Sequence, residues 1–313
     1  MDKIKISICI PAYKRVNYLR RLLDSIAIQT FRDFEVIITD DSDDLSVKEL
    51  SYLYKDKFQL CYHKNIKTLG TPANWNSGIS LAKGEWIKLM HDDDWFAEKE
   101  SLASFYSDTN DGAKFIFSAY SNFFEGKEKN IEQKHFPASW KNKILKEPNI
   151  LLAKNVIGPP SVTMLHKSVG LIYDERLKWR VDMEFYIRVL KKELKFAYID
   201  KILINIGISE SQVTQSCIYQ PAVELPEGYI LLEKHGINAL KNIWIYDAWW
   251  RLLRNMEITN YETLRKYAPK EWPLVIQKMV KDLAAIPPFL LKNGVSSKTL
   301  MSISYLKNYS FIK

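Results

Sequence analysis

Cysteine is scarce in this chain. Its 3 cysteines in 313 residues, Cys9, Cys61 and Cys217, are too few for a disulfide scaffold and too scattered for a zinc site. Cys9 and Cys61 lie in apolar, strand-like surroundings, which predicts reduced core thiols and a cytoplasmic setting. Glycine is sparse as well, at 11 residues. Neither GxGxxG nor GxxxxGK followed by Ser or Thr occurs, so neither the dinucleotide fingerprint nor the P-loop is available to hold phosphate. No run reaches the roughly 18 apolar residues that span a bilayer. The opening Met1-Asp2-Lys3-Ile4-Lys5 leads into a strand, with no sign of a signal peptide. There is no internal repeat and no low-complexity segment.

What the chain does have is a core. Hydrophobic residues make up 47% and charged residues 26%, the balance of a globular protein. Ile4 to Ile10 is a β-branched run stopped by Pro11. Leu19, Leu22, Leu23 and Ile26 follow at helical spacing, with Asn17 as the expected N-cap. Strands are expected over 34–39, 59–63, 84–90, 114–121, 195–199 and 202–206, and helices over 46–54, 72–82, 98–107 and 181–190. Such alternation predicts an α/β fold with a mostly parallel central sheet and helices on both faces. The lysine-rich stretch 125–146 reads as a mobile surface excursion. After Pro221 the pattern is all helical, and Ile237, Leu240, Trp244, Ala248 and Leu252 mark one face of a long helix. The boundary is therefore set near residue 220, with a catalytic domain over 1–220 and a helical C-terminal region over 221–313.

Two of the strands end in carboxylates. One runs into Asp40-Asp41-Ser42-Asp43-Asp44, the other into His91-Asp92-Asp93-Asp94-Trp95. In an open α/β sheet, ligands bind at the carboxyl ends of strands. Adjacent carboxylates repel one another, so three together need a cation or hydrogen-bond donors beside them. Oxygen ligands select a hard cation, Mg²⁺ or Mn²⁺, which favours a diphosphate as the remaining ligand. The plainer alternative is a solvated turn whose last Asp caps a helix beginning near Phe96. The first strand brings Pro11, Ala12, Tyr13, Lys14 and Arg15 to the same edge. Tyr13 can wall a nucleotide base, Asp41 can accept from a uracil imide, and Arg15 can meet phosphate. Equally, Pro11 can simply end a strand and Asp41 make an Asx turn.

In order along the chain, these segments resemble the family 2 glycosyltransferases of the A-type fold. The resemblance rests on Ser7-Ile8-Cys9-Ile10-Pro11-Ala12-Tyr13-Lys14-Arg15 and on the run from Ser25 through Asp40-Asp41-Ser42. It continues from Gly70 to Asp94, with Asn74, Asn76, Gly78, Ala82, Gly84 and the Asp triplet in register, then over Ile157 to Met164, Asp174 to Leu190 and Gly207 to Thr214. It implies a nucleotide-diphospho-sugar transferase (GT-A) fold. It also implies metal-dependent, inverting transfer of a hexosyl or N-acetylhexosaminyl group from UDP to a glycan or lipid-linked acceptor in bacterial surface-polysaccharide synthesis. By position, Pro11, Ala12, Tyr13, Arg15, Asp41, Asn76, Asp92 and Gln212 are assigned to the donor, Asp93 and Asp94 to Mg²⁺ or Mn²⁺, and Asp182 to the general base.

Two positions depart from the family pattern. His91 stands where the first Asp of the DxD motif is usual, which leaves the division of labour among Asp92, Asp93 and Asp94 open. Because hard cations prefer oxygen, His91 is read as a strand-end residue. Val181-Asp182 replaces an acidic pair, so Asp182 holds the base position, with Glu184 as its competitor and N-capping as its structural alternative. The QxxRW signature of processive members is missing, which points to one addition per binding event.

A sugar nucleotidyltransferase is the nearest rival, but it wants a Gly- and basic-rich loop after the first strand. A basic module for nucleic acid would interleave lysines and aromatics on one face, whereas the densest motif here is acidic; no nucleic-acid partner is expected. The net charge of +8 gathers in the tail, where Lys278, Lys281, Lys292, Lys298, Lys307 and Lys313 face only Asp282 from Pro273 onward. Such a tail suits peripheral contact with the inner face of the plasma membrane. It equally suits a helical subdomain with its apolar side packed inward and its lysines solvated.

Overall fold

The structure, a computed structural model, describes residues 4–126, 131–209, 217–268 and 270–313. Strand β1 (Ile6–Ala12) is buried at every position but Pro11, and β2 (Phe34–Asp40) is buried throughout. Near-continuous apolar runs of this kind belong to parallel strands covered on both faces. β1 lies between β2 and β4 (Trp86–Leu89), β3 (Gln59–Lys64) flanks β2, and all four run parallel. The carboxyl ends of β1, β2 and β4, with the acidic runs that follow β2 and β4, therefore share one edge. The helices here are α1 (Val16–Ala27), α2 (Ser46–Tyr52) and α3 (Ala73–Leu81).

Beyond β4 the sheet is mixed. β5 (Trp95–Phe96), β6 (Phe115–Phe124), β7 (Ile131–Lys134), β8 (Thr163–His166) and β9 (Ala197–Ile208) complete a nine-stranded sheet of order β3-β2-β1-β4-β8-β6-β9-β5, with β7 on β6. β8 runs antiparallel to β4 and β6, β5 antiparallel to β9, and β6 parallel to β9. The remaining helices of this part are α4 (Ser101–Ser107), α5 (Ala138–Lys146) and α6 (Val181–Lys192).

The chain forms two compact units. One comprises Met1–Leu145, Val156–Glu175 and Phe185–Gln212, the other Lys146–Asn155, Arg176–Glu184 and Val213–Lys313. The first carries the sheet; the second is helical, its core built on Tyr229, Trp249, Trp250 and Trp272.

Several local expectations change. Cys9 is buried, but Cys61 is exposed, because β3 is at the edge of the sheet and none of its residues is buried. Asn17 sits inside the first turn of α1, which starts at Val16 without a side-chain cap. Phe96 lies in β5, and the next helix waits until Ser101. The stretch 125–146 contains β7 and α5 among its described residues. The long helix expected across 237–252 is broken at Asn242, whose side chain accepts from the Trp244 N–H at 3.0 Å and opens Ile243–Asn255. That cap resets the register: Ile245, Tyr246, Trp249, Trp250 and Leu253 turn inward, and Trp244 is half exposed.

Gly84, at the entry to β4, donates its N–H to Ser7 Oγ at 2.8 Å. A Cβ there would lie 2.6 Å from the Ser7 nitrogen and 2.8 Å from the Ile6 carbonyl carbon, and backbone in a central strand cannot yield cheaply. Gly84→Ala should cost about 1–3 kcal/mol, read as a lower urea midpoint. Gly294→Ala, where nothing lies within 4 Å, should be neutral or slightly stabilising. Equal midpoints for the two variants would contradict the tight fit at Gly84.

Candidate active site

The turn between β1 and α1 is short. Lys14 adopts a positive φ of 60°, and its N–H donates to Ser42 Oγ at 2.8 Å. Tyr13 is left half exposed beside the strand ends, following Pro11 and Ala12 at the end of β1. Asp41 is buried, and its carboxylate gathers the next loop: Oδ1 accepts from Asn65 Nδ2 at 2.7 Å and Leu69 N at 3.1 Å, and Oδ2 from Gly70 N at 2.8 Å. Each carboxylate oxygen has two lone pairs, so Oδ2 keeps acceptor capacity. Asn76 is committed elsewhere. Its amide donates to Tyr173 O at 2.9 Å and Glu175 Oε1 at 3.0 Å and accepts from Tyr173 N at 2.9 Å, so this side chain pins the loop around Tyr173. Gln212 and Thr214 lie outside the described residues.

The Asp triplet is a buried loop, which excludes the solvated turn. Asp92, Asp93 and Asp94 are 3%, 8% and 2% exposed. Arg15 grips Asp92 through both its Nη2 and its Nε and reaches Asp93 Oδ2 from Nη1 at 3.1 Å. Arg21 donates to the Asp93 carbonyl at 2.6 Å and stacks 3.7 Å from the Trp95 ring centroid. Asp94 Oδ1 accepts from the Gly207 N–H at 3.2 Å. Burial pushes the Asp92 carboxyl up to about 7, although Arg15 pulls the other way. Asp94 is raised well above the ordinary carboxylate range, by burial first and then by the charge of Asp93.

His91, read from the sequence as a strand-end residue, stands with the carboxylates. One ligand atom from each of His91, Asp93 and Asp94 lies within 4.8 Å of the others. The imidazole packs on Trp75 with ring centroids 4.7 Å apart, and its Nε2 is buried without a hydrogen-bond partner. Burial lowers its pKa to about 4, which keeps the ring neutral and able to ligate. Its Nδ1 lies 3.9 Å from Asp94 Oδ2, and a neutral imidazole beside two carboxylates fits a divalent cation.

Several residues of this constellation escaped sequence reasoning. Arg21 had a signal: Arg15, Tyr18 and Arg21 recur at i, i+3, i+6 along one edge of α1, and both guanidinium carbons lie within 5.6 Å of the Tyr18 ring centroid. Lys88 and Ser161 had none. Lys88 is wholly buried in β4 and donates from Nζ to the Ser161 carbonyl. The Ser161 hydroxyl in turn accepts the His91 N–H at 3.0 Å.

Asp182 belongs to the helical unit, in the first turn of α6. Its Oδ2 accepts from Asn155 Nδ2 at 2.8 Å and its Oδ1 from Met183 N at 2.7 Å. It keeps part of its surface open to solvent, yet burial pushes its pKa up to about 6, against those hydrogen bonds and with help from the Glu227 charge. Glu184 is 0% exposed and ion-paired to Lys234 Nζ at 2.6 Å. The segment just before Asp182 hangs from Glu227, whose oxygens accept from Lys178 N at 2.6 Å, Trp179 N at 2.9 Å and Arg180 N at 2.7 Å. Arg180 Nη2 reaches Glu224 Oε2 at 2.8 Å.

The pattern of Glycosyl transferase family 2 matches residues 7–169. An uncharacterised glycosyltransferase of Methanocaldococcus jannaschii is 28% identical over 214 residues, 66% of this chain and 72% of that protein. TarS of Staphylococcus aureus, a poly(ribitol-phosphate) β-N-acetylglucosaminyltransferase, is 26% identical over 192 residues, 59% of this chain but only 32% of TarS. The crystal structure of TarS residues 1–349 with UDP-GlcNAc superposes with a TM-score of 0.61 at 16% identity, covering 97% of this chain and 92% of that one. The Pyrobaculum calidifontis mannosyltransferase PcManGT, solved with GDP-Man and Mn²⁺, gives a TM-score of 0.58 at 12% identity over 97% of this chain and 87% of its own. A family match over more than half of the chain, on a mixed sheet with its acidic loops at one edge, leaves one assignment: the chain is a glycosyltransferase of family 2 with the GT-A fold.

Proposed function

We propose that this protein is a metal-dependent inverting glycosyltransferase that moves a hexosyl or N-acetylhexosaminyl group from UDP to a hydroxyl of a glycan or lipid-linked acceptor in surface-polysaccharide synthesis. The observation that carries the reading is the cluster of half-buried His91 with buried Asp93 and Asp94, with Arg15 beside it, inside the family match. A divalent cation held by these three residues would neutralise the diphosphate leaving group. The imidazole tilts the ligand set from Mg²⁺ toward Mn²⁺. TarS bound to UDP-GlcNAc supports UDP as the nucleotide, and PcManGT bound to GDP-Man and Mn²⁺ supports a metal.

Tyr13 then walls the base, the spare lone pair on Asp41 accepts from the uracil imide, and Arg15 turns its fork to the diphosphate. Asp182 takes the proton of the acceptor hydroxyl as its oxygen attacks the anomeric carbon. The bond from that carbon to the diphosphate oxygen breaks on the opposite face, and its electron pair leaves with UDP. An elevated but still mostly ionised carboxylate near neutral pH is what a general base requires. The partial exposure of Asp182, against the complete burial and ion pairing of Glu184, supports this choice. We place the transferase domain at residues 1–220 and the helical region at 221–313. The hold of Glu224 and Glu227 on residues 178–180 supports a helical region that positions the base.

UDP should raise the melting temperature only when Mn²⁺ or Mg²⁺ is present, by mass action on the folded state, and Asp93→Ala should remove that dependence. An equal UDP shift in EDTA would sink the metal bridge. For the base, kcat/KM should rise as pH increases through about 6, where Asp182 ionises, and then level off. Asp182→Asn should lower turnover at least about a hundredfold with donor binding retained; normal turnover in Asp182→Asn and its loss in Glu184→Gln would reverse the assignment. Glu227→Leu leaves three backbone N–H groups without an acceptor and should cost roughly 2–3 kcal/mol in chemical denaturation. Glu227→Gln keeps one acceptor oxygen and should cost less. Equal losses would mean that charge, not acceptor count, holds the segment.

A further inference from the structure

The helix Gly294–Asn308 is built inside out. Its inward stripe is Ser297, Met301, Ser304 and Asn308, three of them polar and all three satisfied. Ser297 Oγ accepts from Arg254 Nη1 at 2.8 Å and Trp250 Nε1 at 3.2 Å. Ser304 Oγ and Asn308 Nδ2 each donate to Asp282 Oδ2 at 2.7 Å. The outward side is apolar, with Val295 79%, Ile303 57% and Leu306 74% exposed. Val295, Thr299, Ile303 and Leu306 recur at i, i+4, i+8 and i+11, one line along the helix. Just before them the short helix Pro288–Lys292 buries no residue and leaves Phe289 70% exposed. Surface helices of globular proteins ordinarily turn these faces the other way.

The charge carried by this segment itself has one sign. From Leu283 to Lys313 the chain has no Asp or Glu, and it has Lys292, Lys298, Lys307 and Lys313. Lys307 is paired with Asp282 Oδ1 at 2.6 Å, while Lys292 and Lys298 are exposed. A second copy meeting this face across a two-fold axis would bring the same lysines together, so self-association is disfavoured. Among the described residues no helix is long and apolar enough to cross a membrane; an exposed apolar line flanked by lysines is the pattern of a helix lying in the plane of a surface. We infer that Phe289, Val295, Ile303 and Leu306 dip into an anionic lipid bilayer while Lys292 and Lys298 sit at its phosphates. The inference rests on the transferase reading in one respect only: a lipid-linked acceptor gives the contact a use.

Flotation of the full-length chain with vesicles tests it without donor or acceptor. At low salt the protein should float with phosphatidylglycerol-containing vesicles and stay down with pure phosphatidylcholine. The double variant Lys292→Ser/Lys298→Ser should bind about thirtyfold more weakly, roughly fivefold per lysine. Val295→Glu/Leu306→Glu should abolish flotation with an unchanged circular-dichroism melt, since the inward stripe is untouched. Failure to float, equal flotation with neutral vesicles, or full binding by the Glu variant overturns the inference. So does a concentration-dependent dimer that Val295→Glu/Leu306→Glu dissociates. A UDP melting shift on the same preparations keeps the two ideas apart. Flotation without the shift, measured with Mn²⁺ present, overturns the UDP-donor reading alone, and the shift without flotation overturns only the membrane contact.

Discussion

Three adjacent carboxylates, each less than a tenth exposed, are the constraint from which the sheet unit is arranged. Burial disfavours their charge and they repel one another, so an apolar loop would be the more stable choice for β4. The neighbours offset only part of this. Arg15 neutralises Asp92 and touches Asp93, Arg21 fixes the Asp93 carbonyl, and Gly207 gives its N–H to Asp94. Gly207 is itself dictated by the loop: a Cβ there would lie 2.4 Å from the Asp93 carbonyl oxygen. Deeper in β4, Lys88 is buried among apolar side chains, 4.8 Å from the Phe105 ring centroid. Desolvation wins there, lowering its pKa to about 7 although the charge of Asp94 favours the cation. A site that remains costly after this much compensation is a mark of function rather than of stability.

The helical unit treats its two neighbouring carboxylates in opposite ways. Glu184 is sealed and ion-paired to Lys234, so its charge is engaged inside the unit. Asp182, two residues earlier, keeps a solvent-facing surface and an elevated pKa. The difference comes from what precedes the helix. Glu227 accepts three successive N–H groups from residues 178–180 and fixes the angle at which the chain enters α6. Spacing in sequence could not separate the two acids; burial and partners do.

Legibility follows the range of the interaction. β1, β2, β4 and the first three helices are readable because their signals are local, β-branched runs and helical spacing; the stop expected at Pro11 does not hold, since β1 stays paired with β2 through Pro11 and Ala12. The ends of parallel strands follow from topology, so Tyr13, Arg15, Asp41 and the triplet could be put on one edge from sequence. Cys61 was misplaced because edge and centre are not local properties. Asn242 was missed because a cap outweighs a continuing hydrophobic pattern. A general ligand preference sets His91 aside, and only the approach of its ring to Asp93 and Asp94 in three dimensions returns it to the cluster. Asn76 stood in family register, yet its amide is spent on Tyr173 and Glu175, a use that becomes visible only when residues 97 apart in sequence meet.

If the site takes a cation and a diphosphate as proposed, Arg15 ties the electrostatics of the loop to their joint binding. As it stands, its guanidinium supplies Asp92 and Asp93 with the positive charge they need. A divalent cation arriving alone would compete for Asp93 and be repelled by Arg15. A diphosphate arriving alone would face three carboxylates, with the nearest arginine already engaged. On the proposed reading, the two arriving together would be favoured: Asp93 would be balanced by the cation and Arg15 would gain a bidentate partner of the kind it prefers. Each ligand would then remove the cost that the other meets, which amounts to positive coupling between two sites. The coupling needs no movement of the sheet. It needs only that one arginine be shared between a carboxylate pair and a phosphate, and the short turn from β1 into α1 holds Arg15 where that exchange can occur.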